Sequence, residues 1–278
     1  LLRYALYAFA AFAAVALVTT GATAADKPEP SRAQTVRRVL PMSVRIQVLS
    51  GDEVRRSATG VVVRADTSKG DTAGHSYILT NAHVADPTDL KAVSYRVLIE
   101  KHGRVEKTVP GKLVGLGKVP DEDLALIEIG MTLPAAEISS EEAVDVGDDV
   151  VVIGAPYGKS LSASGGMVSQ LEADEGAPAG QLRYRAMKTD AAIGYGSSGG
   201  GVFSVSTGRL VGLVEGYRTA RVAINERMAF DVPMPGETFV APVTKIRKFI
   251  SQHLSGAEVA AVRPAEKAAD QTTADAAH

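Results

Sequence analysis

The sequence predicts an all-β fold with one helix near its carboxyl end, on three observations. Apolar residues alternate with a period of two, as Val44, Ile46 and Val48 do and as parts of residues 93–99 do. Elsewhere short runs are continuously apolar, as in Gly60-Val61-Val62-Val63 and Val150-Val151-Val152-Ile153, the pattern of fully buried strands. Helical spacing is convincing once, after Pro242, where Val243, Ile246, Phe249, Ile250 and Leu254 share a face before Gly256. At 278 residues the chain exceeds an average domain, yet β-barrel proteins of this size commonly form one unit.

Taken in order, the first element is a separate N-terminal unit. Arg3, an apolar run over residues 4–18 and then Ala22-Thr23-Ala24 form the pattern of a secretory signal peptide over residues 1–24. The run is shorter than the roughly 20 residues of a spanning helix, although an uncleaved segment would anchor the chain to a membrane. Residues 25–35, opening with Asp26-Lys27-Pro28-Glu29-Pro30-Ser31, read as a solvated linker. Arg32, Arg37, Arg38 and Arg45 are basic, but so short a cluster is normally a solvated face.

Ser76-Tyr77-Ile78-Leu79-Thr80-Asn81-Ala82-His83-Val84 is an apolar strand that ends in small residues and a histidine. An imidazole at a strand end can serve as a general base near neutral pH. A lone histidine is more often a hydrogen-bonded structural group. His75 and His102 lie in polar, loop-like sequence, His253 on the late helix and His278 at the end, and none has a comparable setting.

Pro120-Asp121-Glu122-Asp123-Leu124-Ala125-Leu126-Ile127 sets an acidic cluster at the head of an apolar strand. Asp123, nearest the strand, is the carboxylate placed to enter the core and accept the Nδ1–H of His83. Asp121 reads as a solvated turn residue.

Thr189-Asp190-Ala191-Ala192-Ile193-Gly194-Tyr195-Gly196-Ser197-Ser198-Gly199-Gly200-Gly201 holds a serine in a glycine cradle between apolar segments. Glycine admits backbone conformations closed to residues with a Cβ, so the N–H groups of Gly196 and Ser198 can point at one developing negative charge. By itself a Gly/Ser run is more often a turn or linker. A phosphate-binding loop is a third reading, but the lysine and following Ser/Thr of that motif are missing.

Composition narrows the partners. A net charge of −2 gives no bulk attraction to nucleic acid or to an acidic membrane. The absence of cysteine excludes disulfides and thiolate metal sites.

The order His83, Asp123, Ser198 resembles that of the chymotrypsin-like serine proteases. Thr80-Asn81-Ala82-His83-Val84, Asp123-Leu124-Ala125-Leu126, Thr189-Asp190-Ala191-Ala192-Ile193 and Gly196-x-Ser198-Gly199-Gly200 are similar to the bacterial HtrA/Deg branch. So are Val152-Ile153-Gly154-Ala155-Pro156-Tyr157-Gly158 and Gly208-Arg209-Leu210-Val211-Gly212. The resemblance runs from about residue 36 to 254, and three ordered motifs make coincidence a poor account of it.

What the resemblance implies is a chymotrypsin-like fold of two six-stranded antiparallel barrels, about residues 36–135 and 140–250, with a C-terminal helix. Catalytic His83, Asp123 and Ser198 would meet between the barrels, with an oxyanion hole from the N–H groups of Gly196 and Ser198. Ala192 and Ile193 would line one side of the pocket for the residue before the cut, with Leu213, Val214 and Glu215 on the other. An apolar base there favours small aliphatic side chains, although Ile193 and Leu213 also suit a core and Glu215 can turn toward the triad. The implied activity is a serine endopeptidase of the cell envelope, exported to the periplasm, acting on protein or peptide substrates without metal or organic cofactor. A catalytically silent fold that binds peptides is the alternative.

Two positions depart from the family pattern: Ser197 stands where Asn is usual and Gly201 where Pro is usual. Ser197 cannot make the ion pair that activates digestive relatives. Gly201 predicts a looser loop that costs more to order. The residues after Leu254 read as a disordered tail over 255–278, too short for the PDZ module of many HtrA relatives. Homo-oligomers are common in the family through N-terminal aromatics, but here no aromatic stands between the signal segment and Tyr77.

Overall fold

In the computed structural model the residues described are 29–66, 74–181, 183–225 and 228–254. The expected signal segment and C-terminal tail lie outside them.

Two closed six-stranded antiparallel barrels make up the fold. The first is built from β1 (Ser43–Ser50), β2 (Glu53–Asp66), β3 (His75–Thr80), β4 (Val93–Lys101), β5 (Arg104–Leu116) and β6 (Ala125–Ile129), in the order β1-β2-β3-β6-β5-β4. The second holds β7 (Asp149–Gly154), β8 (Ser162–Ala173), β9 (Tyr184–Thr189), β10 (Gly201–Ser204), β11 (Leu210–Asn225) and β12 (Met228–Pro242), in the order β10-β11-β12-β9-β8-β7. The same permutation recurs in both, and closure removes the free edges an open sheet would expose. The alternation at Val44, Ile46 and Val48 falls on β1, where all three side chains are fully buried. The continuous runs fall on β2 and β7, whose residues are buried on both faces because each strand touches two cores.

Three cores result. Ile46, Ile78, Val97 and Ile127 fill the first barrel, and Val152, Met187, Val202 and Val240 fill the second. The largest cluster lies between them, joining Val61, Leu79 and Leu126 of one barrel to Ile153, Phe203 and Leu213 of the other. Each such side chain contributes roughly 1.5–3 kcal/mol when buried, and this shared cluster holds the two barrels together.

The C-terminal helix, α3 (Val243–His253), buries Val243, Ile246, Phe249 and Ile250, the face its spacing predicts. It starts from the second barrel and crosses to the first, where the His253 ring takes the space beside Gly115 of β5. An additional helix, α1 (Arg32–Val39), takes in the last four residues of the segment expected as a linker over residues 25–35. Its start is a capping box: Ser31 Oγ accepts the Gln34 N–H at 3.3 Å, and Gln34 Oε1 accepts the Ser31 N–H at 2.7 Å. Thr35 then donates to the Val205 carbonyl and Val39 enters the inter-barrel core. His75 also differs from its loop-like reading, since it opens β3 and pairs with Glu128 at 3.0 Å.

Candidate active site

Thr80 ends β3 and Asn81 is the N-cap of a single helical turn, α2 (Ala82–Ala85), which carries His83. Asp123 sits just before β6, the neighbour of β3 in the first barrel. Its carboxylate grips His83 twice: Oδ1 accepts the His83 backbone N–H at 2.8 Å, and Oδ2 lies 2.7 Å from Nδ1. Asn81 Nδ2 donates to the Asp123 carbonyl at 2.9 Å, so the aspartate is held by backbone as well as side chain. Asp123 is 8% exposed, whereas the His83 side chain is 41% exposed. A buried, oriented carboxylate behind an open imidazole leaves Nε2 as the nitrogen facing outward, with Nδ1–H donating to Asp123.

Ser198 arrives from the second barrel, and Thr59 of β2 is what docks its loop. Thr59 N–H donates to the Ser198 carbonyl at 2.9 Å. The Thr59 hydroxyl donates to the Gly196 carbonyl and accepts the Ala155 N–H, both at 2.9 Å. The Thr59 carbonyl in turn accepts the Thr80 hydroxyl, three residues before His83, at 2.8 Å. Gly199 is pressed so closely against this pair that a Cβ there would stand 2.2 Å from the Thr59 carbonyl oxygen and 2.4 Å from Thr80 Oγ1. The serine loop and the histidine turn therefore share one support. Among the described residues no hydrogen bond joins His83 Nε2 to Ser198 Oγ, and such contacts commonly tighten only with substrate bound.

The N–H groups of Gly196 and Ser198 lie anti to the carbonyls of Tyr195 and Ser197, which accept the Tyr157 N–H at 2.5 Å and the Gly200 N–H at 2.9 Å. Neither donates a hydrogen bond among the described residues. Gly196 has φ +91°, and a Cβ on it would meet the Ala155 carbonyl oxygen at 2.6 Å, so only glycine fits. Two N–H groups without an acceptor on one loop are candidate donors to a developing negative charge. Gly201, from which the sequence predicts a looser loop, stands in a strand beyond the loop. That glycine lies in β10, paired with Leu213 and Ile153, and the Phe203 ring occupies the space its missing side chain leaves. Ser197 is buried at 2% exposure against Gly154, and its N–H donates to the Gly194 carbonyl at 3.0 Å.

The five expected pocket residues separate. Ala192 is exposed, and Ile193 is half-buried against the core of the second barrel. Leu213 and Val214 are fully buried and their side chains pack into cores. Val214 nevertheless serves the loop through its backbone: its carbonyl accepts the Gly199 N–H at 3.0 Å and its N–H donates to the Gly200 carbonyl at 2.8 Å. Glu215, at the bulge that follows in β11, turns back toward Lys245 of α3, 3.4 Å away. Burial pushes its carboxyl above the usual carboxylate range; Lys245 opposes that rise, and the nearby Asp123 charge adds a smaller upward push.

Thr59 and Asn81 are the members that sequence reasoning missed. The one available signal was a polar residue among apolar ones, Thr59 within β2 and Asn81 just after β3, each fully buried here and hence obliged to find partners.

The trypsin-like peptidase domain family matches residues 58–213. Over 159 residues the chain is 33% identical to a probable periplasmic serine protease do/HhoA-like of Haemophilus influenzae, covering 57% of this chain and 30% of that protein. It is likewise 33% identical over 165 residues to periplasmic serine endoprotease DegP of Escherichia coli, covering 59% and 31% respectively. The match thus spans less than a third of the length of either. Among solved structures, a serine endoprotease from Yersinia pestis superposes with a TM-score of 0.58 at 26% identity, covering 82% of this chain and 68% of that one.

Proposed function

The chain belongs to the trypsin-like peptidase domain family, in its HtrA/Deg type, and from that footing we propose that it is a serine endopeptidase. The observation that carries the reading is the double grip of Asp123 on His83, on the same support that holds the loop of Ser198. In this reading His83 Nε2 takes the proton from Ser198 Oγ as the oxygen attacks a peptide carbonyl. Asp123 holds the ring in the tautomer that makes Nε2 basic and stabilises the imidazolium that forms. The N–H groups of Gly196 and Ser198 receive the oxyanion, His83 returns the proton to the leaving amine, and the acyl-enzyme is then hydrolysed by water that His83 activates. Donors fixed before charge develops give the largest stabilisation of this kind.

The protease unit runs over residues 36–254, with the segment before it acting in export. The periplasm is its compartment, by analogy with relatives named periplasmic, and protein quality control or processing is its role. Exposed Ala192 and half-buried Ile193 favour small aliphatic residues before the cut, since no carboxylate stands at Ala192 to balance Lys or Arg. The test compares wild type with Ser198→Ala on casein, mapping cuts by mass spectrometry and labelling both proteins with a fluorophosphonate. Cleavage and labelling that both vanish in the variant support the reading. Wild type that neither cuts nor labels would leave a silent protease fold.

A further inference from the structure

The strands β11 and β12 outrun the barrel they help to close. β12 pairs with β9 only over Thr238, Phe239 and Val240, and β11 pairs with β10 only as far as Leu213. Beyond Tyr217↔Thr238 the two continue as a ribbon of their own, through Ala220↔Val232 and Val222↔Phe230 to Asn225↔Met228. Directly opposed residues share a face and successive residues alternate. One face carries Thr219 and the pair Arg221↔Asp231. The other carries Val222, Met228, Phe230, Val232 and Met234, exposed by 42, 56, 48, 37 and 40%, and Ile224, 60% exposed, stands at the bulge beside them. An isolated two-stranded ribbon is at best marginally stable in water, and a contiguous exposed apolar patch marks a site of interaction.

We propose that the apolar face of this arm captures an extended apolar segment of an unfolded polypeptide and holds it beside the cleft. The proposal rests on the endopeptidase reading above and adds to it a second point of attachment. Two observations select this occupant. The arm is continuous with the candidate site: β11 is bonded to the serine loop at Val214, and the Tyr217 ring meets that of Tyr195, next to Gly196, edge-on at 5.6 Å between centroids. The patch also has the dimensions of one strand. At about 3.3 Å per residue, residues 219–225 span roughly 23 Å, and two strands present a face about 10 Å wide. As a flat footprint that is on the order of 250 Å², and even doubled for side-chain relief it falls short of the ~800 Å² of accessible surface each partner gives to a stable protein–protein interface. It suits one extended segment of six or seven residues.

The test is the double variant Val222→Ser/Phe230→Ser, a directly opposed pair on that face outside all three cores, with thermal unfolding as a check on the fold. Two substrates are compared: an internally quenched octapeptide with Val before the cut, and reduced, carboxymethylated α-lactalbumin. The octapeptide should be cut with unchanged kcat/KM, while KM for α-lactalbumin rises about tenfold at constant kcat, the scale expected for losing two apolar contacts. Equal KM values for α-lactalbumin in wild type and variant overturn the proposal. If wild type cuts neither substrate, the endopeptidase reading fails on its own. The arm is then read by anisotropy, with fluorescein-labelled carboxymethylated α-lactalbumin bound to Ser198→Ala with and without the two arm substitutions. About tenfold weaker binding supports capture, and equal Kd overturns it. A change of oligomeric state on sedimentation that follows the arm substitutions assigns the face to a second copy and overturns the proposal. So does binding to phosphatidylglycerol vesicles that the substitutions abolish.

Discussion

The Thr59 N–H donates to the carbonyl of Ser198 at 2.9 Å, so a strand of the first barrel orients the candidate nucleophile of the second. The hydroxyl of the same residue fixes the Gly196 carbonyl and satisfies the Ala155 N–H.

Thr59→Val keeps the shape of the side chain and removes both hydroxyl contacts. Two buried backbone groups then lose their partner, which should cost about 1–3 kcal/mol. Gly196 is free to rotate, so kcat should fall about tenfold or more with KM little changed, and Thr59→Ser should restore most of it. Thermal unfolding and steady-state kinetics read the two effects separately. A kcat equal to wild type would show that Thr59 has no part in aiming the oxyanion donors.

Asp123→Asn keeps the size of the side chain but offers His83 Nδ1 an N–H where it met an acceptor. The ring then takes the tautomer with Nε2 protonated, and kcat should drop about 10⁴-fold while the protein still folds. Kinetics beside a circular dichroism melt checks this, and a loss of activity that only parallels unfolding would contradict it.

Gly196→Ala places a methyl group 2.6 Å from the Ala155 carbonyl oxygen at a φ of +91°. The turn must rearrange, and loss of one oxyanion donor costs about 10²–10³ in kcat. The barrels should be untouched, so the melting temperature should move by only a few degrees, the equivalent of about 1 kcal/mol.

Glu215→Gln tests the buried carboxylate. Its pKa is raised by burial, so the folded state favours the protonated form. The stability this group allows is fully present below the ordinary carboxylate pKa and is lost as pH rises through the raised value. The variant stays neutral throughout. Its melting temperature should therefore gain on wild type as pH is raised from 4 to 7, and a gap that narrows or stays constant over that range would refute the assignment.

Much of the fold was legible because its signals are local. Alternation at Val44, Ile46 and Val48 predicts a strand buried on one side, and the stripe from Val243 to Leu254 predicts a helix packed on one face. Both agree with the structure. The missed helix α1 also had a local mark, the Ser31 and Gln34 capping pair, obscured by the prolines before it. The histidine, aspartate and serine segments stood out because each is a short, unusual run of residues at a strand end. The barrel closure itself came only from family resemblance, since strand order is not written in any single strand.

Residue types and their short-range periodicity therefore decided the secondary structure and the chemistry on offer. Tertiary structure alone decided that Thr59 meets Gly196 and Ser198, 137 and 139 positions away, and that Glu215 turns to Lys245. It also decided that six apolar residues of β11 and β12 stand in water. Periodicity reports which face of a strand is apolar, but whether another element covers that face depends on where the remaining strands end.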